Sequence, residues 1–252
     1  MHEIEVHEMS QEFFRCWQAA GKHLDNQVQG GIRFWLRAHP YPPFLDHLSF
    51  RLGNQLFFVR VEDVDGMVAG PGSFRGLHTI AKANGGHALV LPMKRRMAGD
   101  TWVSDRNGWG LIDATTRETV DPVALVTDDK IEMTPWELQD MAVQVMRDYL
   151  EKQGYELMSW QSNPEVEPAI WFVGDSREPE WVVVRAVRYP ERQAQRPDNW
   201  PSIENHCARM SRVGHFASVA IASAEQPFQT SDEPATPLWR GHALHIRFTG
   251  LE

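Results

Sequence analysis

A chain of 252 residues that is 42% hydrophobic and 23% charged has the balance of a soluble globular protein rather than a disordered one, and it is long enough for two ordinary domains. Its formal net charge is −9, unevenly divided: residues 1–128 hold 13 Lys and Arg against 15 Asp and Glu, and residues 129–252 hold 12 against 19. Binding to nucleic acid needs a concentrated basic footprint, so this distribution argues against a constitutive DNA-binding protein, most strongly in the second half.

Other bulk features narrow the field further. Ten Trp and twelve Phe point to a core packed with large rings. The two Cys, Cys16 and Cys207, form neither a metal spacing nor a disulfide framework, which fits a reducing compartment. The start, Met-His-Glu-Ile-Glu-Val-His-Glu, has the form of neither a secretory signal nor a transit peptide, and no apolar run reaches bilayer length. The expectation is a cytoplasmic protein with no membrane association.

The first element in chain order is a helix capped by Ser10, with Phe13, Trp17, Ala20 and Leu24 on one face. A strand is expected at Ile32–Arg37, before the breaker His39-Pro40-Tyr41-Pro42-Pro43. Leu45–Leu52 and Leu56–Glu62 flank Gly53-Asn54-Gln55 and read as an antiparallel hairpin. After an Asp- and Gly-rich loop, Ser73 caps a short helix through Ala83, stopped by Asn84-Gly85-Gly86. His87–Met93 is a strand, Lys94–Gly108 a polar excursion and Leu111–Ala114 a short final strand.

The second half repeats the series. Thr134 caps a helix with Pro135 in its first turn and an apolar face of Leu138, Met141, Ala142, Val145 and Tyr149. A strand at Tyr155–Trp160 leads to Asn163-Pro164 and a short acidic segment ending at Pro168. Ala169–Val173 and Trp181–Val187 again suggest a hairpin. Arg188–Pro201, with three Pro, reads as an exposed loop, followed by a short helix at Ser202–Ser211. His215–Ala222 is a strand, Glu225–Pro237 a second polar excursion and Gly241–Phe248 a last strand.

Laid side by side, the halves correspond in order. At an offset of 124, Met9-Ser10 meets Met133-Thr134 and Pro40 meets Pro164. At 125, Pro43 meets Pro168 and Leu56-Phe57-Phe58-Val59-Arg60-Val61 meets Trp181-Val182-Val183-Val184-Arg185-Ala186. At 128, Gly86-His87-Ala88 meets Gly214-His215-Phe216. The offset drifts by a few residues, and most of the required length changes fall in loops, where closure cost grows slowly. This reads as a tandem duplication of one α/β (α+β) unit, residues 1–128 and 129–252, each running α-β-β-β-α-β. A three-stranded meander followed by a right-handed helical crossover makes a mixed sheet. The run Trp181-Val182-Val183-Val184, apolar on both sides, implies cover on both faces.

That order resembles the core of the restriction-endonuclease-like superfamily, the PD-(D/E)xK nucleases. The resemblance implies an acid at the start of the second strand and an acid-x-Lys triplet on the third, together holding a divalent cation for phosphodiester hydrolysis. Asp46 stands near the start of the second strand in the first unit, but its third strand gives Val59-Arg60-Val61-Glu62. Glu62 is the candidate second carboxylate, on the same side as Arg60. Glu167 precedes the second strand of the second unit, and its third strand gives Val183-Val184-Arg185-Ala186, without the acid. Asp46 and Glu62, with Arg60 beside them, are therefore the catalytic and metal candidates, in units whose chemistry reads as degenerate.

Four residues are candidates for an interface: the matched His87 and His215, and the matched Arg60 and Arg185, which could reach a carboxylate across the unit boundary. Lys94-Arg95-Arg96, near Trp102 and Arg106, is the first place to test for nucleic-acid contact. No His-Glu-x-x-His, paired-Cys or calcium-loop pattern occurs, and no cofactor is expected. The leading expectation is a non-enzymatic interaction or scaffold protein whose partner is a protein. The alternative is a metal-dependent nuclease or phosphodiesterase with a migrated site at Asp46 and Glu62.

Overall fold

The computed structural model describes residues 10–36, 48–70, 73–96, 101–163, 165–228 and 234–252. It divides into two compact units, Met1–Asp129 and Lys130–Glu252. Both are mixed α/β.

The first unit opens with helix α1 (Gln11–Asp25), started where the Ser10 hydroxyl accepts from the Phe13 N–H. Its buried stripe of Phe13, Cys16, Trp17, Ala20 and Leu24 follows the helical period. Strands β1 (Phe34–Trp35), β2 (Leu48–Leu52) and β3 (Gln55–Asp63) form an antiparallel meander, and β2 and β3 turn on Gly53, whose φ is +56°. Helix α2 (Phe74–Ala83), capped by Ser73, then carries the chain to β4 (His87–Arg96), which lies parallel to β3. Strands β5 (Thr101–Ser104) and β6 (Ile112–Asp113) both pair antiparallel with β4, and a 3₁₀ turn spans Pro122–Leu125. Phe50, Phe57, Val59, Leu89 and Leu91 meet α1 on one face of this sheet.

Helix α3 (Pro135–Lys152) opens the second unit with a capping box: Thr134 Oγ1 accepts from the Glu137 N–H, and the Glu137 carboxylate accepts from the Thr134 N–H. Strands β7 (Glu156–Trp160), β8 (Ile170–Val173) and β9 (Pro179–Arg188) form the meander. Helix α4 (Trp200–Cys207) crosses over to β10 (Gly214–Ser223), parallel to β9, and β11 (Leu244–Phe248) closes the sheet antiparallel to β10. Among the described residues the strand order is β11-β10-β9-β8-β7. Both faces of β9 are covered, as its unbroken apolar run implies. Val182 and Val184 belong to the core under α3, while Trp181 and Val183 pack with Ile203 and Cys207 of α4, and all four strand residues have no exposed surface.

Three expectations need correction. Lys94-Arg95-Arg96 does not begin a loop: it continues β4 to Arg96, where Lys94 faces Val103 and Arg95 faces Trp102 across the hairpin to β5. A strand at the exposed end of a sheet carries charge without penalty, which disguises it as a loop. Helix α4 starts at Trp200 and ends at Cys207, earlier than Ser202–Ser211, because Pro201 sits in its first turn, where a missing N–H costs nothing. The strand expected at Ile32–Arg37 is confined to Phe34–Trp35 among the described residues.

Candidate functional site

The fork of the second meander is where the resemblance to nucleases would place chemistry. Pairing of β8 with β9 ends at Ile170 and Val182, while β9 stays paired to β10 as far as Arg188 and Ile221. Beyond Val182 the edge of β9 that faced β8 has lost its strand partner. Gln139 of α3 takes its place: its side-chain amide donates to the Val184 carbonyl at 2.8 Å and accepts from the Ala186 N–H at 3.1 Å. One side chain thus imitates a strand residue and satisfies main-chain groups that would otherwise be buried without partners.

Glu167 stands beside this edge, just before the cis peptide bond to Pro168. Its carboxylate is in an ion pair with Arg185 of β9, and Arg185 also donates to the Val184 carbonyl at 3.0 Å. Only 9% of the Glu167 side chain is exposed. Burial pushes this carboxyl from 4.5 up to about 7, outweighing the downward pull of Arg185. The buried Cys207 thiol is pushed up to about 11, by burial first and by Glu167 second. Arg188, at the end of β9, pairs with Glu132 ahead of α3, and Asp140 accepts from the Ser162 hydroxyl at 2.6 Å.

In the first unit, Asp46 lies outside the described residues. Glu62 stands 3.6 Å from Arg60 and 3.2 Å from Arg117, and the Arg60 guanidinium lies over the Phe74 ring of α2 at 5.3 Å. Arg60 and Arg185 thus each pair with a carboxylate of their own unit. The basic cluster is also engaged, with Lys94 3.1 Å from Asp105 and Arg95 2.6 Å from Glu12, while Arg96 is exposed.

The matched histidines occupy equivalent places. His87 Nε2 donates to Gln55 Oε1 at 3.1 Å, and His215 Nε2 donates to Glu180 Oε2 at 2.8 Å. The other Glu180 oxygen accepts from the Ser176 hydroxyl at 2.7 Å. Hydroxyl and imidazole therefore both meet the carboxylate rather than each other, which is not the nucleophile-to-base contact that acyl transfer needs.

A divalent cation calls for several converging oxygen or nitrogen ligands. Among the described residues no three His, Cys, Asp or Glu side chains gather in that way. Glu167 has a guanidinium against it, which offers a cation little attraction. The sequence marked Glu167 and Arg185 but not their contact. It gave no sign of Gln139, a polar residue whose role depends on where β8 leaves β9.

These features define a mixed α/β protein of two sheet units with a filled fork in the second. A family described only as a domain of unknown function, DUF8840, has a model that matches residues 136–252. That segment runs from the first turn of α3 to the end of the second unit. No curated protein and no solved structure matches the chain.

Proposed function

We propose that the chain is a tandem duplication of a restriction-endonuclease-like unit that has lost its chemistry, and that it works as a non-enzymatic protein-binding or scaffold protein in the cytoplasm. The observation that carries the loss of chemistry is the fork of the second unit. Gln139 spends its amide on the β9 main chain and Arg185 neutralises Glu167, so the groups standing where a metal and a phosphodiester would meet are committed to holding the sheet. The two free cysteines, Cys16 and Cys207, agree with a reducing compartment.

Cross-strand register supports the duplication independently of residue identity. An offset of 125 takes Phe57 to Val182, and one of 128 takes His87 to His215. Phe57 is the register partner of His87, and Val182 that of His215. Two offsets drawn from different strands therefore agree on one pairing. The glycines before these histidines match as well: a Cβ on Gly86 would stand 2.7 Å from the Phe58 ring, and one on Gly214 would stand 2.1 Å from the Trp181 ring. Both units need a residue without a side chain where the crossover returns against the third strand.

The test is a cleavage assay on the purified full chain with magnesium or manganese, offering single- and double-stranded DNA and RNA. The expected result is no cleavage that Asp46→Ala or Glu167→Gln removes. Cleavage abolished by either substitution overturns the reading in favour of a metal-dependent nuclease or phosphodiesterase. Affinity capture from native cells tests the other half, where failure to recover any partner reproducibly under mild conditions counts against a scaffold.

A further inference from the structure

In each unit a short row of side chains crosses three strands at the hairpin end of the sheet, on the face that packs against the first helix. In the first unit Leu52 of β2 faces Gln55 of β3, and Gln55 bonds to His87 of β4. In the second, Phe172 of β8 faces Glu180 of β9, and Glu180 bonds to His215 of β10. Gln55 and Glu180 are related by the same offset of 125 that relates the rest of the third strands. The frameworks coincide, and the chemistry differs by one substitution, an amide against a carboxylate.

We propose that the His215–Glu180 row is a proton-responsive clasp fastening the turn between β8 and β9 to the start of β10, with His87–Gln55 as its proton-insensitive counterpart. Imidazole changes charge within the physiological range. When His215 gains its proton, the contact with Glu180 becomes a charge-assisted bond, roughly twice as strong as a neutral one. Glu180 passes that constraint into the turn, because its other oxygen holds the Ser176 hydroxyl, and Ser176 in turn accepts from the Glu178 N–H at 3.2 Å. The Gln55 amide gains no ion pair from protonation, and its own N–H group is already directed to Asn54.

The surroundings of the two histidines sharpen the contrast. His215 meets the Phe172 ring of β8 with centroids 5.8 Å apart, and its side chain is 24% exposed, so solvent protons reach it. The nearby turn contributes Asp175, which accepts from the Tyr155 hydroxyl at 2.9 Å, and the exposed Arg177 and Glu178. Despite burial, the bonds from Ser176 and His215 hold the Glu180 carboxyl below its ordinary range, so it is the ionised partner in this contact. Burial against the Phe57 ring, with centroids 5.2 Å apart, moves His87 toward its neutral form, and Asp113 offsets this only in part.

Hydrogen exchange of the full chain at about pH 5.5 and about pH 8, either side of the imidazole range, tests the clasp once rates are corrected for intrinsic exchange. Segment 172–182 is expected to gain roughly threefold protection at the lower pH, the size that a partly exposed ion pair supports, while segment 50–57 gains none. Glu167 gives the second unit a pH response of its own, so the reading is the difference between wild type and variant. Glu180→Gln, which copies the first unit, and His215→Gln should each remove the threefold gain. Equal protection at both pH values in the wild type, or a gain kept in full by either folded variant, overturns the proposal.

Discussion

Arg60 finds its carboxylate two residues along its own strand, in Glu62, whereas Arg185 finds one in the loop that leads into β8, Glu167. Glu62 is 26% exposed, shares itself between two arginines and keeps access to water; Glu167 is 9% exposed and faces one guanidinium in the interior. The two arginines are similarly covered, 16% exposed for Arg60 and 23% for Arg185, so the pairs differ in the burial of the acid and in the number of cations that share it. A similar sheet framework fixes where a charge stands, while the surroundings decide what it contributes.

The largest expected effect concerns a device for which the start of α1 shows no equivalent among the described residues. The Arg240 guanidinium donates to both Glu137 oxygens at 2.9 to 3.0 Å, and each side chain is 1% exposed. Glu137 is also the capping-box acid of α3, so this pair ties the start of the helix to the segment before β11. Arg240→Ala strands a buried carboxylate and should cost about 3–5 kcal/mol in urea unfolding. Ser10→Ala, which removes only the α1 cap, should cost about 1 kcal/mol. Equal costs would break the contrast.

Glu167 comes next, and its sign is unusual for a carboxylate. Its folded value of about 7 lies above the ordinary 4.5, so between the two the folded chain holds a proton that the unfolded chain has released. Its contribution is complete below pH 4.5 and is lost as the pH rises through about 7. Glu167→Gln should therefore stabilise the protein above pH 7 by on the order of 2 kcal/mol and change little in acid, as melting curves across pH would show. A variant less stable than wild type at high pH would mean that the Arg185 contact outweighs burial. Gln139→Leu keeps the helix but leaves the Val184 carbonyl and Ala186 N–H without that side chain, and should cost about 1–3 kcal/mol.

The parts of the fold legible in the sequence were those written locally. Ser10, Ser73 and Thr134 each cap the helix expected of them, because capping is a contact with a residue three positions on. The third strands were legible from their apolar runs, and the glycine-histidine match placed the strands that follow. What escaped depends on residues distant in sequence. Arg240 lies 103 positions from Glu137, and nothing near either one announces the pair. Gln139 looks like an ordinary helical amide until β8 leaves β9 at Val182. Lys94 looks like the start of a loop because its strand runs to the exposed end of the sheet. Glu167 was legible as an acid preceding the second strand of its unit. Its neutralisation by Arg185 was not, since side-chain contact between a loop and a strand follows from packing rather than pattern.

The smallest expected effect tests the opening comparison directly. Arg60→Met removes one cation from a network in which Glu62 keeps Arg117, and the new side chain can still lie on the Phe74 ring. The cost should stay below about 1 kcal/mol, fall further with added salt and be the same at pH 6 and pH 8. Arg185→Met should behave otherwise. In acid Glu167 is already protonated, so losing the guanidinium costs little; at high pH the substitution leaves a buried carboxylate to be either ionised alone or protonated against the solvent, and the cost should grow. A pH-dependent penalty at Arg185 beside a flat one at Arg60 would establish that burial, rather than strand position, separates the two units. Parallel pH profiles would show that the two arginines share one environment after all.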